Sequence, residues 1–548
     1  LDVDFSNDAG LLHASPPPST YGVYKDGSRI MSLPKGAFDP GYLPATLDSF
    51  PYDLRPGAAA LFVGTEGGFK MLEAKTLGVS SFTALEPDPV IYTMVKNALP
   101  ADARVNFLKT SPSAMGPAGE GKFDVVDVAS NFLSQSEADK FAFTREAIGI
   151  YLGLLKPDGL ISIPVSIKEF PTYVLKVLDT ARAGLIDAGV SSPEDHILVY
   201  RSSWNARVLV SSEPFSAGDI KKLESFADAR SFDVSYAPGL PANLPVWNDL
   251  PAVSFTSGAA SQSGGEATDS LRDDIRHLFS AKHDSFVKNN FFRITPATSD
   301  RPDFYSILRL SNLKSILKNI SLVPEREMGS LVNLAVLLQS ILLAIIILCL
   351  PLLYWRKNIP SARELARPIL YFAGLGLGFF FFEVYLIEKA SSFLYNDAFG
   401  FAIVLAAMLV LSGLGSFWSD KFISRPRRAL VRVAAAVALW TFLASVLADP
   451  IFSYLQSSPL VIKYIALIII IAPLAIALGF PFALGLSRFR GNKEYLLPWA
   501  WSINGAFSVI APPLAAIVIL SLGYKASIAL GALSYIIVLF AYPADRQK

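Results

Sequence analysis

The stretch at residues 58–68, AAALFVGTEGG, decides the fold of the first half of the chain. Its first seven residues form an apolar run of strand length, and the glycines that follow suit a tight turn. A helix-forming segment occupies 69–78, and SFTALEPD then predicts a second strand that ends at Glu86. A buried strand, a glycine-rich turn, a helix and a strand with a terminal acid predict one half of a Rossmann-type α/β domain.

The same alternation of strands and helices continues along the chain. The predicted elements are strands at 103–112, 122–130 and 160–167, a helix at 172–189, and an antiparallel pair of strands within 196–215. Upstream, residues 21–33 predict a hairpin around an Asp-Gly turn. The first half of the chain is therefore expected to be an α/β domain with a small β region before it.

The second half is much more apolar. Hydrophobic residues make up 52% of the chain, charged residues 17%, and the mean hydropathy is +0.41. Stretches long enough to cross a bilayer, at about 20 residues, lie near 331–354, 368–388, 395–417, 431–447, 461–485, 498–521 and 525–542. The expected fold class is a Rossmann-like α/β domain followed by a polytopic α-helical membrane domain of about seven helices. The lipid bilayer is thus one expected partner.

Composition also excludes several kinds of site. The net charge is +1, so nucleic acid is not an expected partner. The single cysteine, Cys349, rules out an internal disulfide and a cysteine-based metal site. His277 and His283 are six residues apart, which does not place them on one helix face, and no metal is expected.

Four segments are expected from these patterns. They are a small β region at 1–55, the Rossmann-like domain at 56–256, a linker and helix at 257–330, and the membrane domain at 331–548. The linker begins with a polar segment rich in glycine and serine, and a helix is expected near 271–287.

Lys and Arg residues in short loops predict the orientation of the membrane domain. Fourteen of them belong to the face opposite the α/β domain: Arg356, Lys357, Arg363, Arg367, Lys421, Arg425, Arg427, Arg428, Arg432, Arg488, Arg490, Lys493, Arg546 and Lys548. The other face carries three: Lys389, Lys463 and Lys525. Short cytoplasmic loops are the ones enriched in Lys and Arg. The asymmetry therefore predicts a bacterial inner-membrane protein whose α/β domain lies on the periplasmic side.

Two polar residues stand out inside the apolar stretches. Glu383 lies in GFFFFEVYLIEK, where an ionisable group is costly and is a functional candidate. We expect it to be a neutral carboxyl that joins two helices by a hydrogen bond, with Asn504 as a candidate partner. The other interpretation places both residues in a polar path through the membrane.

Several motifs resemble those of spermidine synthases, whose core follows the plan of class I methyltransferases. They are the N-terminal hairpin, VGTEGG at 63–68, Glu86, and LLKPDG at 154–159. The segments at 297–305, 378–416 and 498–510 resemble membrane-fused relatives of that family. The resemblance implies a nucleoside of the S-adenosylmethionine type, bound through Gly64, Glu66, Gly67, Gly68 and Glu86.

The chain departs from the family's pattern at the positions that carry its chemistry. The glycine loop of the family is G-G-G-D-G-G, whereas two of its glycines are replaced here and Glu66 stands for the Asp. The family's acid near the adenine has no counterpart within 109–111. Its catalytic stretch, F-D-V-I-x-x-D-S-S-D, places Ala129 and Phe132 where two acids belong. Asp127 is then the remaining candidate for a catalytic acid.

The other acids near this stretch are expected to have structural roles. Asp124 is expected at the start of a strand, and Glu137 and Asp139 are expected to cap a helix. We favour a non-catalytic, membrane-anchored protein that docks with or helps assemble another membrane or periplasmic complex. One alternative is an active aminopropyl- or methyltransferase, and another is a transporter whose outer domain is a receptor.

Overall fold

The computed structural model describes residues 15–542 except for 17, 26–27, 37, 100–104, 116–120, 130–136, 169, 242–243, 256–258, 261–266, 355–361 and 490–493. The chain divides into two compact units, Leu1–Glu327 and Met328–Lys548. We call them the α/β unit and the helical unit. The predicted Asp-Gly turn, Asn131 and Phe132 lie outside the described residues.

The described strands of the α/β unit are β1 (Thr20–Lys25), β2 (Ser28–Pro34), β3 (Ala59–Val63), β4 (Ser81–Leu85), β5 (Val105–Leu108), β6 (Phe123–Val128), β7 (Leu155–Ser166), β8 (Ile197–Arg201), β9 (Asn205–Ser211), β10 (Asp233–Tyr236), β11 (Val253–Ser254) and β12 (Ala259–Ala260). Strands β1 and β2 pair antiparallel, as the hairpin prediction requires.

Its described α-helices are α1 (Phe50–Leu54), α2 (Phe69–Thr76), α3 (Pro89–Ala98), α4 (Arg145–Leu154), α5 (Thr172–Asp187), α6 (Ala217–Asp228), α7 (Ser270–Leu278), α8 (His283–Asn289) and α9 (Leu313–Lys318). The single helix expected near 271–287 is therefore two helices. Ser280 Oγ donates to the His277 carbonyl at 2.8 Å and accepts from the Lys282 amide at 3.2 Å. These local bonds replace the helical ladder and end α7.

Eight strands form the main sheet, in the order β10-β8-β9-β7-β6-β3-β4-β5. Strands β3 to β7 are parallel, whereas β9 pairs antiparallel with both β7 and β8. The chain order reverses between β3 and β6. Ligands of such sheets bind in the crevice beyond the carboxyl ends of the strands at that point. The Rossmann-like prediction is confirmed, and the crevice lies after Val63 and Val128.

One face of this sheet carries a core of alternate side chains from neighbouring strands. Phe62 of β3, Phe82 of β4 and Val125 of β6 pack there against Phe50 of α1. Side chains two residues apart on a strand share a face, so Asp127 lies on the same side as Val125. The acid is thus placed at the end of a buried apolar face.

The helical unit consists, in its described part, of seven helices that are long and apolar enough to cross a membrane. They are α10 (Met328–Tyr354), α11 (Ala362–Leu394), α12 (Asp397–Ser419), α13 (Pro426–Leu455), α14 (Leu460–Ser487), α15 (Leu497–Leu522) and α16 (Tyr524–Ala541). All seven predicted spans are confirmed as helices.

Glycines set the closest helix crossing in this unit. A Cβ on Gly415 of α12 would lie 2.0 Å from the Ile476 carbonyl oxygen of α14. A Cβ on Gly479 of α14 would lie 2.0 Å from the Ser412 carbonyl oxygen of α12. Small residues on both helices therefore allow the two backbones to touch, as is common between membrane helices.

Candidate functional site

The glycine loop between β3 and α2 has an unusual backbone. Gly64, Gly67 and Gly68 have φ angles of 89°, 70° and 97°, all in the left-handed region. Glu66 also has a positive φ, 48°, which is uncommon for a residue with a side chain. The sequence predicts a tight turn after the first strand of the Rossmann-like domain, which is β3. Four residues of this turn have the positive φ that glycine adopts most readily.

Two of these glycines lie against other parts of the same chain. A Cβ on Gly67 would lie 1.7 Å from the Ser32 carbonyl oxygen of β2, and a Cβ on Gly68 would lie 2.7 Å from the Leu99 side chain. The lack of a side chain at these positions is thus explained by contacts within the α/β unit.

Glu86 follows the last residue of β4 and is buried. Thr65 of the glycine loop donates its hydroxyl to Glu86 Oε2 at 3.1 Å. The loop and the acid after the second strand are therefore brought together, as the sequence predicts. The Thr65 hydroxyl therefore binds one of the two Glu86 oxygens that, by the family resemblance, would bind a ribose.

Asp127 lies at the end of β6 and is completely buried. Its Oδ2 accepts from the Tyr52 hydroxyl at 2.8 Å and from Lys70 Nζ at 3.2 Å. Its Oδ1 accepts from Arg207 Nη1 at 3.1 Å. Arg207 is held in turn by Ser162, whose hydroxyl accepts from the same nitrogen at 2.9 Å. Both oxygens of the candidate catalytic acid are therefore engaged by the protein itself.

The cluster extends to two further acids. Asp48 accepts from Lys70 Nζ at 2.9 Å and is also paired with Arg207. On the other side, Glu73 of α2 accepts from the Tyr42 hydroxyl at 2.5 Å. We call Asp48, Lys70, Glu73, Asp127 and Arg207 the buried ion cluster. The first three belong to elements that precede β6, and Arg207 belongs to β9, so tertiary folding alone assembles it.

Burial and neighbouring charges set the protonation of this cluster. Burial raises the pKa of Glu73 to about 7, against the opposing effect of Lys70. Burial lowers the pKa of Lys70, but the charges of Asp127, Glu66 and Glu73 outweigh it, so the pKa of Lys70 rises and the ammonium stays charged. At neutral pH the cluster therefore holds two fixed cations beside Asp127.

Sequence reasoning missed Lys70 and Arg207. Both are buried although they are long and charged, and a buried Lys or Arg requires a partner. The signal in the sequence was weak. Lys70 is the second residue after the glycine loop, and Arg207 interrupts the apolar alternation of NARVLVS.

The remaining acids of the stretch have structural positions. Asp124 Oδ2 accepts from the Ala59 amide and from Lys156 Nζ, both at 2.8 Å, so it ties β6 to its neighbours. Ala129 is buried and donates its amide to the Val63 carbonyl at 2.9 Å. The side chains of Glu137 and Asp139 lie outside the described residues. The N-cap of α4 is Thr144, which accepts from the Ala147 amide at 3.2 Å.

A second buried polar group, also missed, holds the SDRPDFY segment onto α5. Lys176 Nζ donates to the carbonyl oxygens of Asp303 at 2.8 Å and Phe304 at 2.5 Å. Burial lowers the pKa of Lys176 to about 7. Glu327 accepts from the Tyr173 hydroxyl at 3.3 Å and from the Ile307 amide at 3.1 Å. The SDRPDFY segment therefore has a clear structural role.

Glu383 and Asn504 do not form the hydrogen bond that the sequence predicts between them. Asn504 of α15 donates to the Phe372 carbonyl of α11 at 3.2 Å. Phe372 lies eleven residues before Glu383, or about 16 Å along the helix at 1.5 Å per residue. Glu383 is buried, and its carboxyl has no hydrogen-bond partner among the described residues. The expected bond between these two side chains is therefore not formed.

Comparison with known proteins identifies solved structures with a similar α/β fold. No family model matches the chain, and no relative is found among curated proteins. Spermidine synthase from Thermotoga maritima is 16% identical over 36% of this chain and 68% of its own, with a TM-score of 0.26. A probable spermidine synthase from Corynebacterium glutamicum is 14% identical over 42% of this chain and 99% of its own, with a TM-score of 0.26. Human methyltransferase-like protein 13 is 13% identical over 36% of this chain and 95% of its own, with a TM-score of 0.25.

At these identities the likeness concerns the fold alone. The chain combines a Rossmann-like α/β unit with, in its described part, seven helices long and apolar enough to cross a membrane.

Proposed function

We propose that this chain is a membrane-anchored, spermidine-synthase-like protein whose α/β unit is non-catalytic and serves as a docking or assembly module for another membrane or periplasmic complex. The observation that carries the proposal is the state of Asp127. This residue is the remaining candidate for the catalytic acid, and it is enclosed within the buried ion cluster.

A general base needs a free lone pair within hydrogen-bond reach of the proton it removes. Asp127 accepts from Tyr52, Lys70 and Arg207, and two of these donors are cations. A polyamine is itself a cation, and at Asp127 it would compete with Lys70 and Arg207 for the same two carboxylate oxygens. The cluster therefore disfavours both deprotonation of an amine substrate and its binding beside Asp127.

The nucleoside-binding elements support the same proposal. Gly67 and Gly68 lie against Ser32 and Leu99, and Glu86 accepts from Thr65. These three residues, which the family resemblance assigns to a nucleoside, have internal contacts here. Such internal contacts stabilise the fold without a nucleoside, as expected of a domain that functions through its surface.

An exposed aromatic pair supports the docking role. Trp204 is 61% exposed and Trp247 is 53% exposed. The adjacent residues Ser203 and Asn248 are joined by a side-chain hydrogen bond of 2.6 Å, which holds the two segments side by side. Lys168 Nζ lies 5.0 Å from the centre of the Trp204 ring. Tryptophan dominates the energetically important positions of protein interfaces, so we assign the partner contact to this surface.

The excess of Lys and Arg on the opposite loops supports an inner-membrane location with the α/β unit on the periplasmic side. A periplasmic domain is separated from the cytosolic nucleotide pool. This placement also favours a structural rather than a catalytic role.

A transferase assay on the purified full chain tests the proposal. We expect no aminopropylated product from putrescine and decarboxylated S-adenosylmethionine. Product that disappears in Glu86→Ala would overturn the non-catalytic assignment. For docking, a photoreactive benzoylphenylalanine at Trp204 or Trp247 should form discrete cross-linked species in native membranes. The same residue at exposed Ile186 is the matched control. Equal cross-linking at all three positions would contradict a specific interface.

A second candidate function is nucleoside binding without transfer. It is favoured by the left-handed glycine loop and by the position of Glu86 after β4, which keep the outline of a nucleotide site. Calorimetric titration with S-adenosylmethionine distinguishes the candidates. Saturable binding lost in Glu86→Ala, with no turnover, would favour a nucleoside sensor over a purely structural module.

A further inference from the structure

A cavity lies inside the helical unit. Its volume is about 330 Å³, and five helices, α11, α12, α14, α15 and α16, line it. Small-molecule sites in proteins begin at about 300 Å³. Asn504 lies seven residues, or about 10 Å, from the start of α15, so the cavity lies at the depth of the apolar segments.

Polar groups on three helices have no protein partner in this cavity. Tyr535 of α16 is 2% exposed and lines the cavity, and its hydroxyl has no hydrogen bond to any described residue. The hydroxyls of Ser416 and Ser508 likewise make no side-chain hydrogen bond in the described part of the chain. Asn504 uses its amide nitrogen on Phe372, which leaves its carbonyl oxygen available. Ser416, Asn504 and Ser508 are half-buried, whereas Tyr535 is buried. A buried hydroxyl without a partner is costly, so Tyr535 indicates a bound molecule that supplies an acceptor.

The residues that line the cavity restrict the charge and shape of that molecule. The described residues that line it include no Asp, Glu, Lys, Arg or His. A charged ligand, including a polyamine, would therefore lose its hydration without gaining a counter-charge. Phe379, Phe380 and Phe482 supply aromatic surface to the same cavity. Flat rings pack well against such side chains, and hydroxyl donors suit carbonyl acceptors.

The cavity is accessible from the outer surface of the bundle. Leu409 of α12 lines it and is also 60% exposed, and the neighbouring Gly413 is exposed as well. A Cβ on Gly413 would meet no atom within 4 Å. The opening therefore lies on a helix surface that faces lipid when these helices span a bilayer.

We propose that this cavity binds an uncharged, lipid-soluble ring ketone of the prenylated quinone type. The ring lies among the phenylalanines, and its carbonyl oxygens accept from Tyr535 and the two serines. Its tail leaves beside Leu409 and Gly413. The proposal rests on the helical unit alone and is independent of the function proposed for the α/β unit.

The test is a titration of the full chain in nanodiscs with decylubiquinone, followed by quenching of tryptophan fluorescence. Trp501 reports on the site because its ring lies 4.9 Å from that of Phe482. We expect saturable quenching whose amplitude falls in Trp501→Phe. Tyr535→Phe and Ser508→Ala should each weaken binding roughly three- to tenfold, since each removes one hydrogen bond.

Two matched controls sharpen the result. Gly413→Phe places a ring in the opening, whereas Gly505→Phe adds the same ring at another helix glycine with open space around it. Binding should be lost only in the first. Ser534→Ala removes a hydroxyl next to Tyr535 that is bonded to the Leu530 carbonyl, and it should have no effect. Non-saturable quenching that is equal in all variants would show partition into lipid and overturn the proposal. Displacement of the quinone by equimolar monoolein would overturn the assignment of a ring.

Discussion

Lys70 Nζ and Asp127 Oδ2 lie 3.2 Å apart beneath the glycine loop, and both side chains are buried. The two residues come from the helix after β3 and from the end of β6, the elements that flank the ligand crevice of this fold. The ion pair therefore occupies the place where the fold usually presents a catalytic acid. The contribution of this ion pair to the stability of the α/β unit can be measured without a binding protein.

Asp127→Ala should destabilise the α/β unit by about 3–5 kcal/mol, because removing one partner leaves buried charges uncompensated. Hydrogen exchange of the β6 amides in the full-length protein measures the loss. Lys156→Ala is the control, since this lysine pairs with Asp124 but is 41% exposed. It should cost less than about 1 kcal/mol. Similar small effects for both variants would contradict an essential buried pair.

Glu73 should make stability depend on pH. Burial raises its folded pKa to about 7 from an ordinary value of 4.5, so the folded state binds more protons between those values. Stability from this group is then present below pH 4.5 and is lost as the pH rises to 7, on the order of 3 kcal/mol. Glu73→Gln keeps an acceptor for Tyr42 and should reduce the fall in melting temperature between pH 5 and pH 8. An unchanged pH profile would exclude Glu73 as its source.

Gly67 and Gly57 form a matched pair for testing the loop contact. Their φ angles are 70° and 71°, so alanine is equally strained at both positions. A Cβ at Gly57 meets nothing within 4 Å, whereas one at Gly67 meets the Ser32 carbonyl. Gly57→Ala should cost about 1 kcal/mol. Gly67→Ala should cost more and should lower hydrogen-exchange protection in β1 and β2. Equal protection in the two variants would show that the hairpin does not depend on this contact.

Glu383 should be replaceable without loss of the bundle. Its carboxyl is buried and has no hydrogen-bond partner in the described part of the chain. Replacing such a group with an apolar one of similar size is neutral or stabilising. Glu383→Met should therefore keep or raise the melting temperature in detergent, and Glu383→Gln should be close to wild type. A melting temperature that falls in Glu383→Met but not in Glu383→Gln would instead support the interhelical hydrogen bond expected from the sequence.

The orientation can be tested by cysteine labelling in a Cys349→Ala background. Lys222 lies on an exposed part of α6, and Lys421 lies in the exposed turn after α12. A membrane-impermeant maleimide applied to intact spheroplasts should label Lys222→Cys and spare Lys421→Cys. Lysis should make both accessible. The reverse pattern would place the α/β unit in the cytoplasm and contradict the charge asymmetry.

The sequence by itself determined the elements of this protein. The apolar run at 58–64 became β3, Glu86 follows β4, and all seven apolar stretches are long helices. These features are local, since strand and helix patterns and the length of a membrane span are set by consecutive residues. The error at 271–287 arose because Ser280 forms side-chain bonds that end α7.

Only the tertiary structure decided the state of the candidate site. Asp48, Lys70, Asp127 and Arg207 are far apart in the sequence, and no periodicity predicts that they converge. The same holds for Tyr535 and Asn504, which reach one cavity from different helices. A buried charge or hydroxyl takes its role from the partners that folding brings within about 3 Å, and those partners are not encoded in neighbouring residues.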